Sequence, residues 1–176
     1  ELNPTSRSIL SNQAFISYNS GDRTGGVNKL KMLEAAEPDY LGPSGYLAQI
    51  FLGDGDYASY LAELKHMAEV SGDGQQQALA SAALRGWSNS GERGLLRQLR
   101  TIYLDAFRSG KSSGFELALV DSRLGLRQEA DQFFQSALNS RDYRMIAILS
   151  GKFDVVMAGD RDFLSIKQQV RSRMRL

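Results

Sequence analysis

Four stretches of this sequence carry residue types that could do chemistry. GDGD at 53–56 sets two carboxylates among glycines, the composition of a cation-binding loop. An EF-hand needs further oxygen ligands at alternating positions and a closing Glu about twelve residues from the first, and these are missing. The stretch therefore reads as a helix–helix turn. SGKSSG at 109–114 has the glycines, lysine and serines of a phosphate loop. A Walker motif requires G-x-x-x-x-G-K-[ST] after a strand; here AFRS precedes Gly110 in a helical pattern, so the stretch reads as a linker. His66 is the single histidine, so any histidine metal centre or Ser-His-Asp triad would have to use it. Its context, LKHMAE, is helical and offers no partner at ligand spacing, which makes it a surface or packing residue. Asp160 and Asp162 read as solvated first-turn carboxylates, favoured at the positive end of a helix. No residue set combines a nucleophile, a base and an orienting group. With no cysteine, thiolate catalysis and disulfides are excluded. The expectation is a non-catalytic chain with no cofactor and no metal.

The elements that carry these residues follow from composition and periodicity. The chain has 176 residues, 42% hydrophobic and 23% charged, which fits a folded globular protein. Its 21 basic and 20 acidic residues point neither to nor away from nucleic acid. No run of apolar residues approaches the eighteen or so of a membrane helix. The start, ELNPTSRS, has no initiator methionine and reads as a cut through a larger protein.

Gly21, Gly55, Gly91 and Gly125 are spaced 34, 36 and 34 apart, and Pro4 and Pro38 are 34 apart. A period near 34 marks helix–turn–helix repeats. Each glycine would let the chain turn between two antiparallel helices at positive φ. Ala14, Ala48, Ala83 and Ala118 precede the glycines by seven or eight residues and suit a close helix crossing. Apolar stripes follow: Leu30 and Leu33; Leu64 and Met67; Leu95, Leu99 and Ile102; Ala130, Phe134 and Ala137. In LGLRQEADQFFQSAL, Ala130 allows close approach, Phe134 fills the groove and Ala137 abuts the next unit. Pro4 and Pro38 stop helices between units.

This pattern resembles the tetratricopeptide repeat (TPR) family. FELALVDSRLGLRQEADQFFQSAL matches best, through Leu117, Ala118, Gly125, Ala130, Phe134 and Ala137. The first unit has Gly26 where the family prefers Ala, the second has Tyr60 at the small-residue position, and the third has Leu95 there. The resemblance implies an all-α, TPR-like solenoid of antiparallel helix pairs. Its units run 1–37, 38–73, 74–110 (degenerate) and 111–141, with a C-terminal capping segment at 142–176.

In that last segment FDVVMAGDRDF leads into a final helix, whose Phe163, Ile166 and Val170 would close the end of the stack. Phe153, Asp154, Asp160, Arg161, Phe163 and Leu164 resemble a tail found on TPR regions of CadC-type bacterial transcriptional regulators. The prolines of that tail are absent here. In that family a winged-helix DNA-binding domain and a membrane helix precede a sensory region. The resemblance implies that this chain is the sensory part, extracytoplasmic if the parent has the membrane helix and cytoplasmic otherwise. A generic TPR scaffold of an assembly or secretion protein, or a regulatory appendage of a cyclase or kinase, stays open. From Arg141 onward there are eight Lys/Arg against four Asp/Glu. Cations at a helix C-terminus account for this, so direct nucleic-acid binding is not expected.

The remaining recognition surface of stacked helix pairs is their concave face. Positions counted from the turn glycines place Phe15, Tyr18, Asn19, Gln49, Leu52, Trp87, Leu119, Ser122 and Arg123 on it. Tyr18, Leu52, Trp87 and Ser122 are spaced 34, 35 and 35 apart and would form a ladder. It would be either packing between units or a groove for a protein or peptide partner, with self-association as a further use. Too few basic side chains are present for a peptide-carboxylate clamp.

Overall fold

The structure, a computed structural model, describes residues 6–174, and Pro4 lies outside them. Every regular element among the described residues is helical. The helices are α1 (Arg7–Asn19), α2 (Arg23–Ala36), α3 (Gly42–Asp54), α4 (Tyr57–Ser71), α5 (Gly74–Arg108), α6 (Phe115–Leu124) and α7 (Arg127–Asn139). A 3₁₀ helix (Tyr143–Ser150), a short α8 (Phe153–Val156) and α9 (Arg161–Met174) complete the chain. Contacts divide it into two compact units, 1–81 and 82–176, with the division inside α5.

In the first unit α1 pairs with α2 and α3 with α4, and α3 also packs on both helices of the first pair. The four glycines of the period all adopt positive φ: Gly21 116°, Gly55 76°, Gly91 56° and Gly125 79°. The turn at Gly55 shows the mechanism. Gly55 N–H donates to Leu52 O and Asp56 N–H to Phe51 O, which satisfies the last carbonyls of α3. The Asp56 carboxylate then caps α4 by accepting from Ser59 N at 3.1 Å. The other carboxylate of GDGD, Asp54, accepts from the Tyr18 hydroxyl at 2.8 and 2.6 Å. Both acids thus have structural partners. Pro38 follows the end of α2, as expected. Gly26 lies where α2 crosses α1: a Cβ there would stand 2.6 Å from Tyr18 Cβ and 2.7 Å from Ala14 O. Even alanine is too large for this crossing.

In the second unit the long helix α5 is broken. Ser90 (φ −150°) and Gly91 leave helical geometry, and the chain folds back on itself. The closest approach of the two arms is Gly86 against Gly94, where a Cβ on Gly86 would lie 2.5 Å from Gly94 O. The small-residue crossing here is made by glycines one turn away from Ala83 and one residue from Leu95. Helix α6 pairs with α7, and α9 packs on α7 and on the 3₁₀ helix. Of the expected apolar positions, Leu95, Leu99, Ala130, Phe134 and Ala137 are buried, as are Phe163, Ile166 and Val170 of α9, and Ile102 is half-buried; in the first unit Leu30 and Leu64 are buried and Leu33 and Met67 half-buried. SGKSSG caps α6: Ser112 Oγ accepts from Gly114 N at 3.2 Å and Ser113 Oγ from Phe115 N at 3.3 Å.

Candidate functional site

The nine expected face residues divide sharply by exposure. In the first unit Phe15 is buried and stacks on Tyr46, with ring centroids 4.7 Å apart. Tyr18 and Leu52 are buried, and buried Asn19 donates through Nδ2 to Phe15 O at 2.8 Å. Gln49 is half-buried. In the second unit Leu119 and Ser122 are buried, with Ser122 Oγ donating to Leu119 O at 2.8 Å, and Arg123 is half-buried. Trp87 alone among the nine is exposed, at 38%.

The regular spacing therefore does not produce an exposed ladder. The physical reason is that the first helices of two pairs are apolar nearly all round. Helix α3 buries Leu47, Ala48, Ile50, Phe51 and Leu52, and α6 buries Leu117 through Ser122. Residues that would face a groove instead face protein. Leu84, three residues before Trp87 and so one turn away on the same helix face, is 41% exposed. Leu84 and Trp87 form an apolar pair open to solvent on the first arm of α5. Leu84 carries no motif signal; its spacing to Trp87 was the available clue.

Two acidic clusters were not legible from the sequence. In the first unit Glu63 of α4 is buried against Glu34 of α2. Burial, then the Glu34 charge and a hydrogen bond with Glu34, push the Glu63 carboxyl up to about 8, with Lys31 opposing. Ser44 of α3 donates to Glu34 as well. His66 Nε2 stands 3.9 Å from Glu34 Oε1, beyond hydrogen-bond length, and among the described residues it has no hydrogen-bond partner. Glu63 thus enters the native structure protonated, and the cluster holds a proton between three helices.

That proton sets a pH dependence. The folded carboxyl binds it up to about pH 8, whereas the unfolded one releases it near 4.5. Native protein holds more protons in this window, so stability falls as pH rises through it. Thermal melts are expected to show a Tm that drops between pH 5 and 8, and Glu63→Gln should flatten the drop. A variant with an unchanged slope would mean that Glu63 is ionised in the fold.

In the second unit Asp131 of α7 meets Asp160 and Asp162 at the start of α9. Asp162 lies in the first turn of α9 as expected, whereas Asp160 stands just before it and caps it through Oδ1; neither is an isolated solvated acid. Burial, then Asp160 and Asp162, push the Asp131 carboxyl up to about 7. No protein-family model, curated protein or solved structure matches this chain. The site is therefore defined by its own geometry. Among the described residues no helix is long and apolar enough to cross a membrane.

Proposed function

We propose that this chain is a non-catalytic, TPR-like interaction region that docks a protein or peptide partner. In this reading it is the sensory part of a CadC-type transcriptional regulator, and DNA binding resides elsewhere in the parent. The all-helical pairing and the period of the turn glycines support the solenoid part of the proposal. The TPR resemblance of the fourth unit and the tail motif around Phe153 and Phe163 support the regulator part. Partner docking rests on one observation: Trp87 and Leu84 stand side by side on α5, exposed, in a helix whose Ala80, Ala83, Leu95 and Leu99 are buried. Trp is enriched among residues that dominate binding energy, because it buries a large area at low entropic cost. The docking surface proposed is thus narrower than a ladder along all units.

Site-specific photo-cross-linking in cells expressing the parent protein tests this. A benzophenone side chain at position 87 or 84 is expected to capture a discrete partner, and one at exposed Lys65 is not. Trp87→Ala should weaken capture of that partner at least tenfold, measured at a temperature where the variant's helical circular dichroism matches the wild type. Absence of a specific adduct at both positions would refute docking at this patch. The coding sequence upstream of Glu1 tests the regulator part: a winged-helix pattern supports it, and further repeats alone refute it.

A further inference from the structure

The acids Asp131, Asp160 and Asp162 carry an inference independent of partner docking. Each offers one carboxylate oxygen, and these oxygens lie within 4.8 Å of one another. Asp131 is only 8% exposed, and its Oδ1 is buried with no hydrogen-bond partner. Asp131 hydrogen-bonds Asp160, but its orphaned, buried Oδ1 beside two further carboxylates is costly unless a proton or a cation compensates the charge. No side-chain cation does: among the described residues none of the three acids forms an ion pair. Asp160 has one oxygen committed, since Oδ1 accepts from Asp162 N at 3.0 Å and Phe163 N at 3.2 Å. The cluster opens onto a surface hollow of about 400 Å³ lined by Asp131, Gln132, Gln135, Asp162, Ser165 and Ile166. A hydrated ion can therefore enter and keep waters as its remaining ligands.

We infer that Asp131, Asp160 and Asp162 form a binding site for a calcium-sized divalent cation, which ties α7 to the first turn of α9. The donor set is all oxygen, which suits hard cations and disfavours zinc or copper. Mg²⁺ demands near-ideal octahedral geometry and gives up its waters reluctantly, whereas Ca²⁺ accepts an irregular, partly hydrated oxygen set such as this one. The α9 N-terminus opposes the ion with roughly half a positive charge, against three carboxylates. With few protein ligands and an open side, the affinity should fall in the weak range of Ca²⁺ sites, a Kd of about 10⁻⁴ to 10⁻³ M.

The test is calorimetric titration of the EDTA-stripped chain with CaCl₂, with thermal melts in parallel. One Ca²⁺ per chain and a Tm that rises with CaCl₂ but not with MgCl₂ at equal ionic strength are expected. Asp131→Asn should weaken binding at least tenfold and abolish the Tm response. Asp162→Asn, at an exposed position, gives the same reading if the buried substitution fails to fold. Asp39→Asn, in the other unit, should bind as wild type. No heat and no Tm response in the wild type would overturn the site. So would equal effects of Mg²⁺ and Ca²⁺, or undiminished binding by both cluster variants.

Discussion

Phe134→Ala is expected to destabilise the second unit by about 3–5 kcal/mol. Phe134 is fully buried on α7, so truncation removes the transfer energy of the ring and leaves a cavity. The surroundings cannot easily close it, because two other rings depend on the same one. Phe153 meets Phe134 edge-on at 5.9 Å and 74°, and Phe163 meets it at 5.7 Å and 48°. Each such aromatic pair adds about 0.5–1.5 kcal/mol beyond area burial. Phe153 belongs to α8 and Phe163 to α9, so one side chain holds two later elements onto α7. Urea denaturation should show the lower midpoint, and amide exchange in α9 should rise more than in α1 or α2. Phe134→Leu should retain more than half of the lost stability, because it refills most of the volume. A cost below about 1.5 kcal/mol for the alanine variant would place it outside the measured range for enclosed Phe, and Phe134 would not be the junction of these elements.

That Phe134 is central was readable from its place in the stripe with Ala130 and Ala137. The same holds for the turns. Gly55 and Gly125 precede no strand and follow apolar helical runs, so only a helix-ending αL conformation suits them. What was not readable depends on pairs distant in sequence. Gly86 and Gly94 look like weak points in a helical pattern, and only the folded-back arms show that they permit the crossing. Glu34 and Glu63 each look like surface acids; α2, α3 and α4 must assemble before one of them is buried and protonated. Asp131 follows Ala130 directly, a position at the edge of the apolar stripe, and becomes enclosed when α9 covers α7. The face residues misled for the opposite reason. Counting from the turn glycine placed Tyr18, Leu52 and Ser122 on equivalent sides of their helices. It could not tell whether that side meets solvent or another helix.

Arg144→Met should cost the second unit about 3–5 kcal/mol at neutral pH, the range for breaking a buried charge pair from one side. Arg144 lies in the 3₁₀ helix and serves two acids from different elements. Its Nε donates to Asp142 Oδ1 at 2.9 Å and its Nη2 to Asp142 Oδ2 at 2.6 Å, while Nη1 pairs with Glu116 of α6. Its guanidinium also stands over the Phe115 ring, 5.0 Å from the centroid. Burial alone would push the Asp142 carboxyl up, but hydrogen bonds from Arg144 and from Ser113 outweigh it and hold it below the usual range. Burial likewise opposes the charge on Arg144, yet Asp142 and Glu116 hold its pKa above the ordinary value. Methionine keeps the stem's apolar packing but removes the charge and its hydrogen bonds, which leaves buried Asp142 and half-buried Glu116 uncompensated. The pH dependence gives the discriminating readout. In the wild type the Asp142 contribution is present above its unfolded pKa of 3.8 and fades as pH falls through its lower folded value. In the variant Asp142 has lost its cation, so acid relieves its burial by protonation. The two stabilities should therefore converge toward pH 4. Arg144→Met combined with Asp142→Asn and Glu116→Gln should regain much of the loss at pH 7. A deficit that stays constant from pH 7 to pH 4 would trace the cost to packing of the arginine stem and overturn the electrostatic account.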